Sequence, residues 1–166
     1  SRAGLPKQLI PFIHGKCLLQ LAYERLEGIV PAANRCVCAG RAHEALICET
    51  LGLPRDQFLA EPAGRDTLNA VGYAAAVIAR RDPQAVIAVF TADHIIEPVD
   101  RFAAIVEEGF ALAEAQPQTL VTFGIAPAQP ATGYGYLQLG KPLGGRARLV
   151  EEFKEKPPLE LARAYF

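Results

Sequence analysis

The sequence predicts an α/β protein with a mostly parallel mixed sheet, and three observations support this class. Short apolar runs rich in β-branched residues alternate along the chain with stretches of helical periodicity. The run 85–90 is continuously apolar, which is typical of a strand covered on both faces, and 120–125 is predicted to be another buried strand. The 166 residues are 51% hydrophobic and 21% charged, a composition that predicts one globular domain over 1–166.

Local patterns predict the elements of the first half of the chain. Alternating apolar stretches indicate a helix at 17–26, a strand at 36–39, a helix at 42–51 and a strand at 58–60. Gly52 and Pro54 follow the second helix, and both are typical helix stop signals. A third helix runs to about Arg81.

The third helix is predicted from its start signal and its apolar stripe. Asp66 or Thr67 supplies an N-cap, because short polar side chains accept hydrogen bonds from the first free amides of a helix. Its buried face is predicted to consist of Leu68, Val71, Ala75 and Ile78.

The second half begins with the same alternation and then changes. The predicted order is a strand at 85–90, a helix at 99–115 and a strand at 120–125. The helix carries its apolar stripe on Phe102, Ile105, Val106, Phe110 and Ala113. Segments 134–139 and 148–153 flank a turn at Gly144-Gly145 and predict an antiparallel pair, before a last helix near Pro157-Pro158.

Composition excludes several classes of function. A net charge of −1 argues against a nucleic-acid partner, because neutralising phosphates requires a basic surplus. No apolar run approaches the roughly 20 residues that span a bilayer, and Ser1–Lys7 lacks a hydrophobic signal core. The four cysteines have poor zinc spacing, so reduced thiols and a cytoplasmic location are predicted for Cys17, Cys36, Cys38 and Cys48.

Ligands of parallel sheets bind beyond the carboxyl ends of the strands, so the segments after the strands matter most. Taken singly, their residues leave alternatives open. Asp93 follows a buried strand and suits either a divalent metal or a turn cap. Lys7 fits a solvated surface lysine, and Glu155-Lys156 fits an exposed ion pair. Gly133 and its neighbours fit a turn.

The ordered set of motifs is more specific than its members. It consists of Pro6-Lys7-Gln8-Leu9, Glu61-Pro62-x-Gly64-Arg65-x-Thr67, Ala92-Asp93-His94, Thr132-Gly133-Tyr134-Gly135-Tyr136 and Phe153-x-Glu155-Lys156-Pro157. In this order and spacing the set resembles the sugar-1-phosphate nucleotidyltransferases, particularly the members that use GTP and mannose 1-phosphate. The resemblance implies a Rossmann-like three-layer sandwich that transfers GMP to mannose 1-phosphate, giving GDP-mannose and pyrophosphate.

The resemblance also implies a role for each matching residue. Lys7 resembles the lysine that contacts the reacting phosphates, and Asp93 resembles a carboxylate ligand of Mg²⁺. The implied nucleotide-binding residues are Glu61, Pro62, Gly64, Arg65, Asp66 and Thr67. The implied sugar-phosphate site has Gly133 and Tyr134 beside the hexose, Glu155 on the sugar hydroxyls and Lys156 on the phosphate.

For each of three side chains in these motifs, two interpretations stay open. Arg65 serves the nucleotide or locks its loop by pairing with Glu61. Asp66 accepts hydrogen bonds from guanine or caps the following helix, since an ionised carboxylate only accepts. His94 is favoured as a support of the Asp93 loop over a general base, because the attacking phosphate oxygen needs no base.

The resemblance predicts that parts of the family pattern lie beyond this sequence. A glycine-rich phosphate loop and its strand are expected just before Ser1, and a second metal carboxylate after Phe166. The 166-residue chain alone is therefore expected to be inactive. Alternatives are the same reaction with another sugar 1-phosphate or nucleotide, or a non-catalytic relative that binds sugar nucleotides; a homo-oligomer stays open.

Overall fold

The computed structural model describes residues 6–11 and 13–166, which form two compact units, Ser1–Leu120 and Val121–Phe166. The prediction of no hydrophobic signal core was made on Ser1–Lys7. Of that segment, Ser1–Leu5 lie outside the described ranges. The single domain predicted from length stays a prediction.

Helices and strands of the first unit alternate as predicted up to the third helix, which is followed directly by a further helix. The unit's elements are α1 (Leu18–Glu24), β1 (Val37–Gly40), α2 (Glu44–Leu51), β2 (Phe58–Glu61), α3 (Asp66–Arg81) and α4 (Val99–Ala115). Single 3-10 turns cover Lys7–Leu9, Ala32–Asn34, Arg41–His43 and Arg55–Gln57. The bounds of α4 coincide with the helix predicted from its stripe, on which Phe102 and Val106 are buried.

Strands β1 and β2 are parallel, with Val37 opposite Phe58 and Gly40 opposite Glu61. Helix α2 makes the crossover between them, as parallel pairing requires. It ends at Gly52, whose φ of 60° is left-handed and is adopted at little cost only by glycine. The parallel register places Glu61 at the carboxyl end of the pair, next to the loop that precedes α3.

A small hydrophobic core lies between α1, α2 and the parallel pair. Its buried members are Leu9, Cys17, Leu19, Ile47, Leu53 and Phe58. Ala92 packs against this cluster as a partly buried neighbour. The core therefore anchors two predicted site segments, the one around Lys7 through Leu9 and the one around Asp93 through Ala92.

The predicted buried face of α3 is wrong. No residue of α3 is buried, and Leu68 is 81% exposed. Instead, Val71 and Ile78 line a groove of about 1410 Å³, bordered by α1, β1, α3, α4 and segment 84–92. An amphipathic stripe indicates which face of a helix is apolar but not which element covers it, and here the face borders this large groove.

The strands predicted at 85–90 and 120–125 are also not formed. Among the described residues, neither segment belongs to a strand of either sheet. Val86, Val89 and Leu120 are 37%, 53% and 100% exposed, whereas the prediction required them to be covered. A strand exists only with a neighbour to hydrogen-bond, so an apolar run by itself is insufficient.

The second unit contains β3 (Tyr136–Gly144), β4 (Ala147–Lys154) and α5 (Leu159–Tyr165). The strands pair antiparallel, with Tyr136 opposite Lys154 and Leu137 opposite Phe153, as predicted. The turn uses positive φ at Gly144 (112°) and Gly145 (53°), which explains the glycine pair. With one parallel and one antiparallel pair among helices, the α/β class is confirmed.

The structure also describes the cysteines and the apolar character of the helices. All four cysteines are free, with Cys17 buried and the others half-buried. In the described part of the chain, no helix combines the length and apolar character that crossing a membrane requires.

Candidate functional site

Three predicted motifs of the first unit border the large groove. Glu61, Gly64 and the stretch 65–67 line it from the end of β2 and the start of α3. Thr91 and Ala92, which precede Asp93, line it too, as do Pro6 and Gln8 on either side of Lys7. Segments that are far apart in sequence therefore meet at one concave surface.

The loop between β2 and α3 is open to solvent. Pro62, Gly64 and Arg65 are exposed, and a Cβ added at Gly64 would meet no atom within 4 Å. The protein's own packing therefore does not require glycine at this position. Among the described residues no ion pair joins Glu61 to Arg65, so the alternative in which Arg65 locks the loop through Glu61 is not observed.

Asp66 and Thr67 do not cap α3, so this prediction is wrong. Arg65 occupies the N-cap and makes no side-chain capping bond, while Asp66 is the first helical residue. Asp66 has a left-handed φ of 58°, and the Asn69 side-chain amide donates to the Arg65 carbonyl oxygen instead. A residue with left-handed φ lacks the extended backbone that a capping side chain needs. The Asp66 carboxylate is thus not used in capping.

Glu61 also affects a neighbouring thiol. Burial first, and then the negative charge of Glu61, raises the pKa of Cys38, which lies on β1. The Cys38 thiol itself donates to the carbonyl oxygen of Ala70 in α3, at 3.9 Å. This thiol is therefore kept protonated near neutral pH, in agreement with a structural role.

Lys7 begins a 3-10 turn in which the Leu9 amide donates to the Pro6 carbonyl oxygen at 2.9 Å. Leu9 is buried in the core, whereas the Lys7 side chain is exposed. The turn therefore presents an exposed cation on an anchored backbone, which suits contact with an anionic ligand as well as with solvent.

Asp93 lies in a short turn supported by His94. The imidazole Nδ1 is hydrogen-bonded to Thr91 Oγ1 at 3.2 Å, and its Nε2 is 3.7 Å from Asp93 Oδ1. The Asp93 side chain is 42% exposed. These contacts agree with the prediction that His94 supports the Asp93 loop.

One residue of this region was missed at the sequence level. Arg25 is 5% exposed, and its Nη1 donates to the His94 carbonyl oxygen at 3.0 Å. Its guanidinium lies 5.0 Å from the centre of the Phe102 ring. The available signal was its position directly after α1, three residues from the buried Ala22 and therefore on the same side of the helix.

The Asp93 carboxylate fits Mg²⁺ as one ligand of a shared site. Mg²⁺ prefers hard oxygen donors and is commonly held by one or two carboxylates together with substrate phosphates and water. Asp93 offers an exposed carboxylate with no lysine or arginine partner among the described residues. The described residues include no cluster of three or more His, Cys, Asp or Glu side chains, so a fully protein-built metal cage is absent there.

In the second unit, the two predicted sugar motifs are in contact. A Cβ added at Gly135 would collide with Cζ of Phe153 and would lie 3.2 Å from Oε2 of Glu155. Only glycine permits this approach, because real Cβ atoms do not come so close. The motif around Tyr134 and the motif around Glu155 therefore form one local surface.

Glu155 and Lys156 present opposite charges on this surface. Lys156 Nζ lies 2.9 Å from Glu155 Oε1, and the two side chains are 62% and 58% exposed, respectively. Lys156 has a left-handed φ of 40°, which is uncommon outside glycine, and such strain recurs at functional sites. The pair offers a cation for a phosphate and a carboxylate for hydroxyl groups.

Gly133 and Tyr134 are exposed beside this pair, and Tyr134 is 71% exposed. The segment is anchored by Tyr136, whose hydroxyl accepts from the Ala131 amide at 2.9 Å. The Tyr136 ring also packs against Tyr165 of α5 with 5.6 Å between centres. The loop is thus closed on itself while Tyr134 remains available to a ligand.

Comparison with known proteins shows which family the chain resembles as a whole. Residues 3–166 match the profile of the nucleotidyl transferase family. The chain is 36% identical over 174 residues to a mannose-1-phosphate guanylyltransferase of Escherichia coli K12, covering 99% of this chain and 36% of that protein. It is 37% identical over 168 residues to the xanthan biosynthesis protein XanB of Xanthomonas campestris, covering 99% of this chain and 35% of XanB.

A solved structure supports the fold. A Thermus thermophilus protein, described as a mannose-1-phosphate geranyltransferase, superposes with a TM-score of 0.83 at 32% identity. The match covers 99% of this chain and 48% of that one, and the chain spans about a third of the two curated relatives. The predicted nucleotidyltransferase-like α/β fold is therefore confirmed.

Proposed function

The chain belongs to the nucleotidyl transferase family, and on that premise we propose that its protein transfers GMP from GTP to mannose 1-phosphate. The products are GDP-mannose and pyrophosphate. The name of the relative at 36% identity supports the sugar and the base. The free cysteines support a cytoplasmic setting, where thiols stay reduced.

The observation that carries the proposal is the contact between Gly135 and the Glu155 side chain. It joins a loop with an exposed tyrosine to a carboxylate–ammonium pair. A sugar phosphate needs hydroxyl acceptors and a phosphate-binding cation close together, and Glu155 and Lys156 supply both.

In the proposed reaction, a phosphate oxygen of mannose 1-phosphate forms a bond to the α-phosphorus of GTP. The bond between the α-phosphorus and the α–β bridging oxygen breaks, and pyrophosphate leaves with that electron pair. The nucleophile is already ionised, so positioning and charge stabilisation supply the rate increase. The exposed ammonium of Lys7 would offset charge on the reacting phosphates.

The other first-unit residues have binding roles in this proposal. Glu61, Pro62, Gly64, Arg65, Asp66 and Thr67 form the nucleotide side, and the uncommitted Asp66 carboxylate suits the donor edge of guanine. Asp93 would hold Mg²⁺, which when bound neutralises phosphate charge. His94 keeps the Asp93 carboxylate in place and transfers no proton.

The direct test is pyrophosphate release by the full-length gene product. GTP, ATP, CTP, UTP and dTTP are each combined with mannose 1-phosphate and with glucose 1-phosphate. GTP with mannose 1-phosphate should give the highest kcat/KM, by about tenfold or more, corresponding to about 1.4 kcal/mol. A different preferred pair would replace the substrate assignment, and no turnover with any pair would reject the reaction.

The role of Asp93 is tested separately with Asp93→Asn, which keeps the shape and removes the charge. We expect Mg²⁺-dependent turnover to fall by about a hundredfold or more, as for loss of a charge-stabilising group. Asp100→Asn in the first turn of α4 is the matched control and should retain turnover. Equal activity of the two variants would reject the metal role of Asp93.

A further inference from the structure

Arg25 is a buried cation that the proposed reaction does not use. It follows α1 directly, is 5% exposed, and donates through Nη1 to the His94 carbonyl oxygen at 3.0 Å. Its Cζ lies 5.0 Å from the centre of the Phe102 ring in α4, within cation–π range. The guanidinium thus joins the end of α1, the Asp93–His94 turn and α4.

The stability of the fold does not explain an arginine at this position. Its Nε and Nη2 are buried and have no hydrogen-bond partner among the described residues. Burial lowers the pKa of Arg25, which means that the charged form is disfavoured there. Buried ionic groups can often be replaced by apolar side chains of similar volume without loss of stability. A methionine would fill this space without leaving unpaired donors.

The contacts of the neighbouring Asp93–His94 turn indicate what Arg25 does. The Asp93 side chain is 42% exposed, and among the described residues the basic side chain beside it is His94, whose Nε2 lies 3.7 Å from Oδ1. His94 is in turn held by its ring through Thr91 and by its carbonyl through Arg25. Ring and backbone of His94 are therefore fixed from two sides.

We propose that Arg25 is a positioning residue that holds the backbone of the Asp93–His94 turn and thereby orients the Asp93 carboxylate. It acts from the protein interior and does not touch the reacting groups. A guanidinium suits the task because one nitrogen can donate to a carbonyl while its flat face packs on an aromatic ring. The consequence for the rate rests on the proposed function, whereas the consequence for the turn does not.

The test uses backbone dynamics, which do not depend on activity. Labelling histidine with nitrogen-15 gives amide signals for the three histidines of this sequence, His14, His43 and His94, and single substitution of each histidine assigns its signal in the full-length protein. In the unsubstituted full-length protein, the His94 order parameter should be near 0.85, typical of rigid backbone, and in Arg25→Met it should fall below about 0.6. His14 and His43 should be unchanged.

Arg35→Met is the matched control. Arg35 also donates to a backbone carbonyl, that of Val30 at 2.8 Å, and lies 5.5 Å from the Tyr23 ring centre. It makes the same two kinds of contact away from Asp93, so its loss should leave the His94 signal unchanged. An unchanged His94 order parameter in Arg25→Met would overturn the proposal.

If Arg25→Met fails to fold, all three histidine signals change and the variant is uninformative. A second variant, Phe102→Leu, then provides the test. Phe102→Leu keeps an apolar side chain but removes the ring beneath the guanidinium. The proposal requires a lower order parameter at His94 alone, and an unchanged value would overturn it.

Kinetics separate this proposal from the proposed function. In Arg25→Met, kcat for the nucleotidyl transfer should fall on the order of tenfold, while KM for GTP changes less than about twofold, because a misplaced group slows reaction more than binding. Arg25→Lys, which keeps a charged donor, should recover part of kcat. If the unsubstituted protein shows no turnover, the proposed function fails, but the His94 signal still decides the role of Arg25.

Discussion

The Cα of Gly135 faces Glu155 so closely that a Cβ on the glycine would lie 3.2 Å from Oε2 of the glutamate. The same Cβ would collide with the Phe153 ring. The antiparallel pairing of β3 and β4 produces this contact, because it places Tyr136 opposite Lys154. One strand pairing therefore sets the position of a loop and of a charged pair.

Gly135→Ala should destabilise the second unit. The added methyl group forces the Phe153 ring to move, and overpacking of this kind costs about 1–3 kcal/mol. Urea unfolding of the 166-residue chain, followed by the fluorescence of its five tyrosines in the absence of tryptophan, measures the change. Gly133→Ala is the matched control, because its Cβ would meet no atom within 4 Å. Equal stability of the two variants would contradict the close approach.

Lys156→Gln should weaken sugar-phosphate binding with little loss of stability. The Lys156–Glu155 pair is more than half exposed, and such pairs stabilise folds only slightly. We expect KM for mannose 1-phosphate to rise about tenfold, as for one lost charged contact. Lys154→Gln, from the similarly exposed pair with Glu152, should leave KM unchanged. Parallel effects in both variants would indicate a general charge effect.

Gly64→Ala should affect nucleotide binding and not folding. A Cβ at this position meets no protein atom within 4 Å, so the fold tolerates it. If a purine lies against the loop backbone, the methyl group raises KM for GTP by about tenfold, since it prevents close approach. Gly72→Ala inside α3 should instead add up to about 1 kcal/mol of stability and leave KM unaltered. An unaltered KM for GTP in Gly64→Ala would show that the guanine base does not bind against this loop.

Stability of the protein should decrease above the ordinary thiol pKa of 9.0, with Cys38 contributing. Burial and Glu61 raise the pKa of the folded thiol, so the unfolded chain loses this proton at lower pH. The thiol's contribution is complete below the ordinary value and is lost as pH rises through the folded pKa. Urea midpoints measured between about pH 7 and 10, a range that spans the ordinary thiol value, should fall less steeply in Cys38→Ala. Identical slopes would show that the thiol does not titrate differently on folding.

Local sequence patterns were sufficient for the helices and for the hairpin. Helix α4 has the bounds that its apolar period predicts, and Gly52 ends α2 with the left-handed φ expected of a terminal glycine. The glycine pair at 144–145 likewise specifies its turn. These features depend on backbone preferences and on spacings of three to four residues, so nearby sequence is enough to predict them.

The predictions that failed concern contacts between distant segments. Whether 85–90 becomes a strand depends on a neighbour, and an apolar run carries no information about one. The N-cap of α3 is Arg65, and not Asp66 as the sequence had suggested. The left-handed backbone at Asp66 outweighs the preference of an aspartate side chain for the capping position.

The amino-acid order alone was enough to predict the class of fold, its helices and hairpin, and the motifs by which the chain resembles a nucleotidyl transferase. Three relationships needed the folded chain: Gly135 lies against Glu155, the loop after β2 and the Asp93 turn border one groove, and Arg25 is buried beneath that turn. The physical reason is that periodicity and turn chemistry act within a few residues, whereas proximity between segments arises from packing of the whole chain.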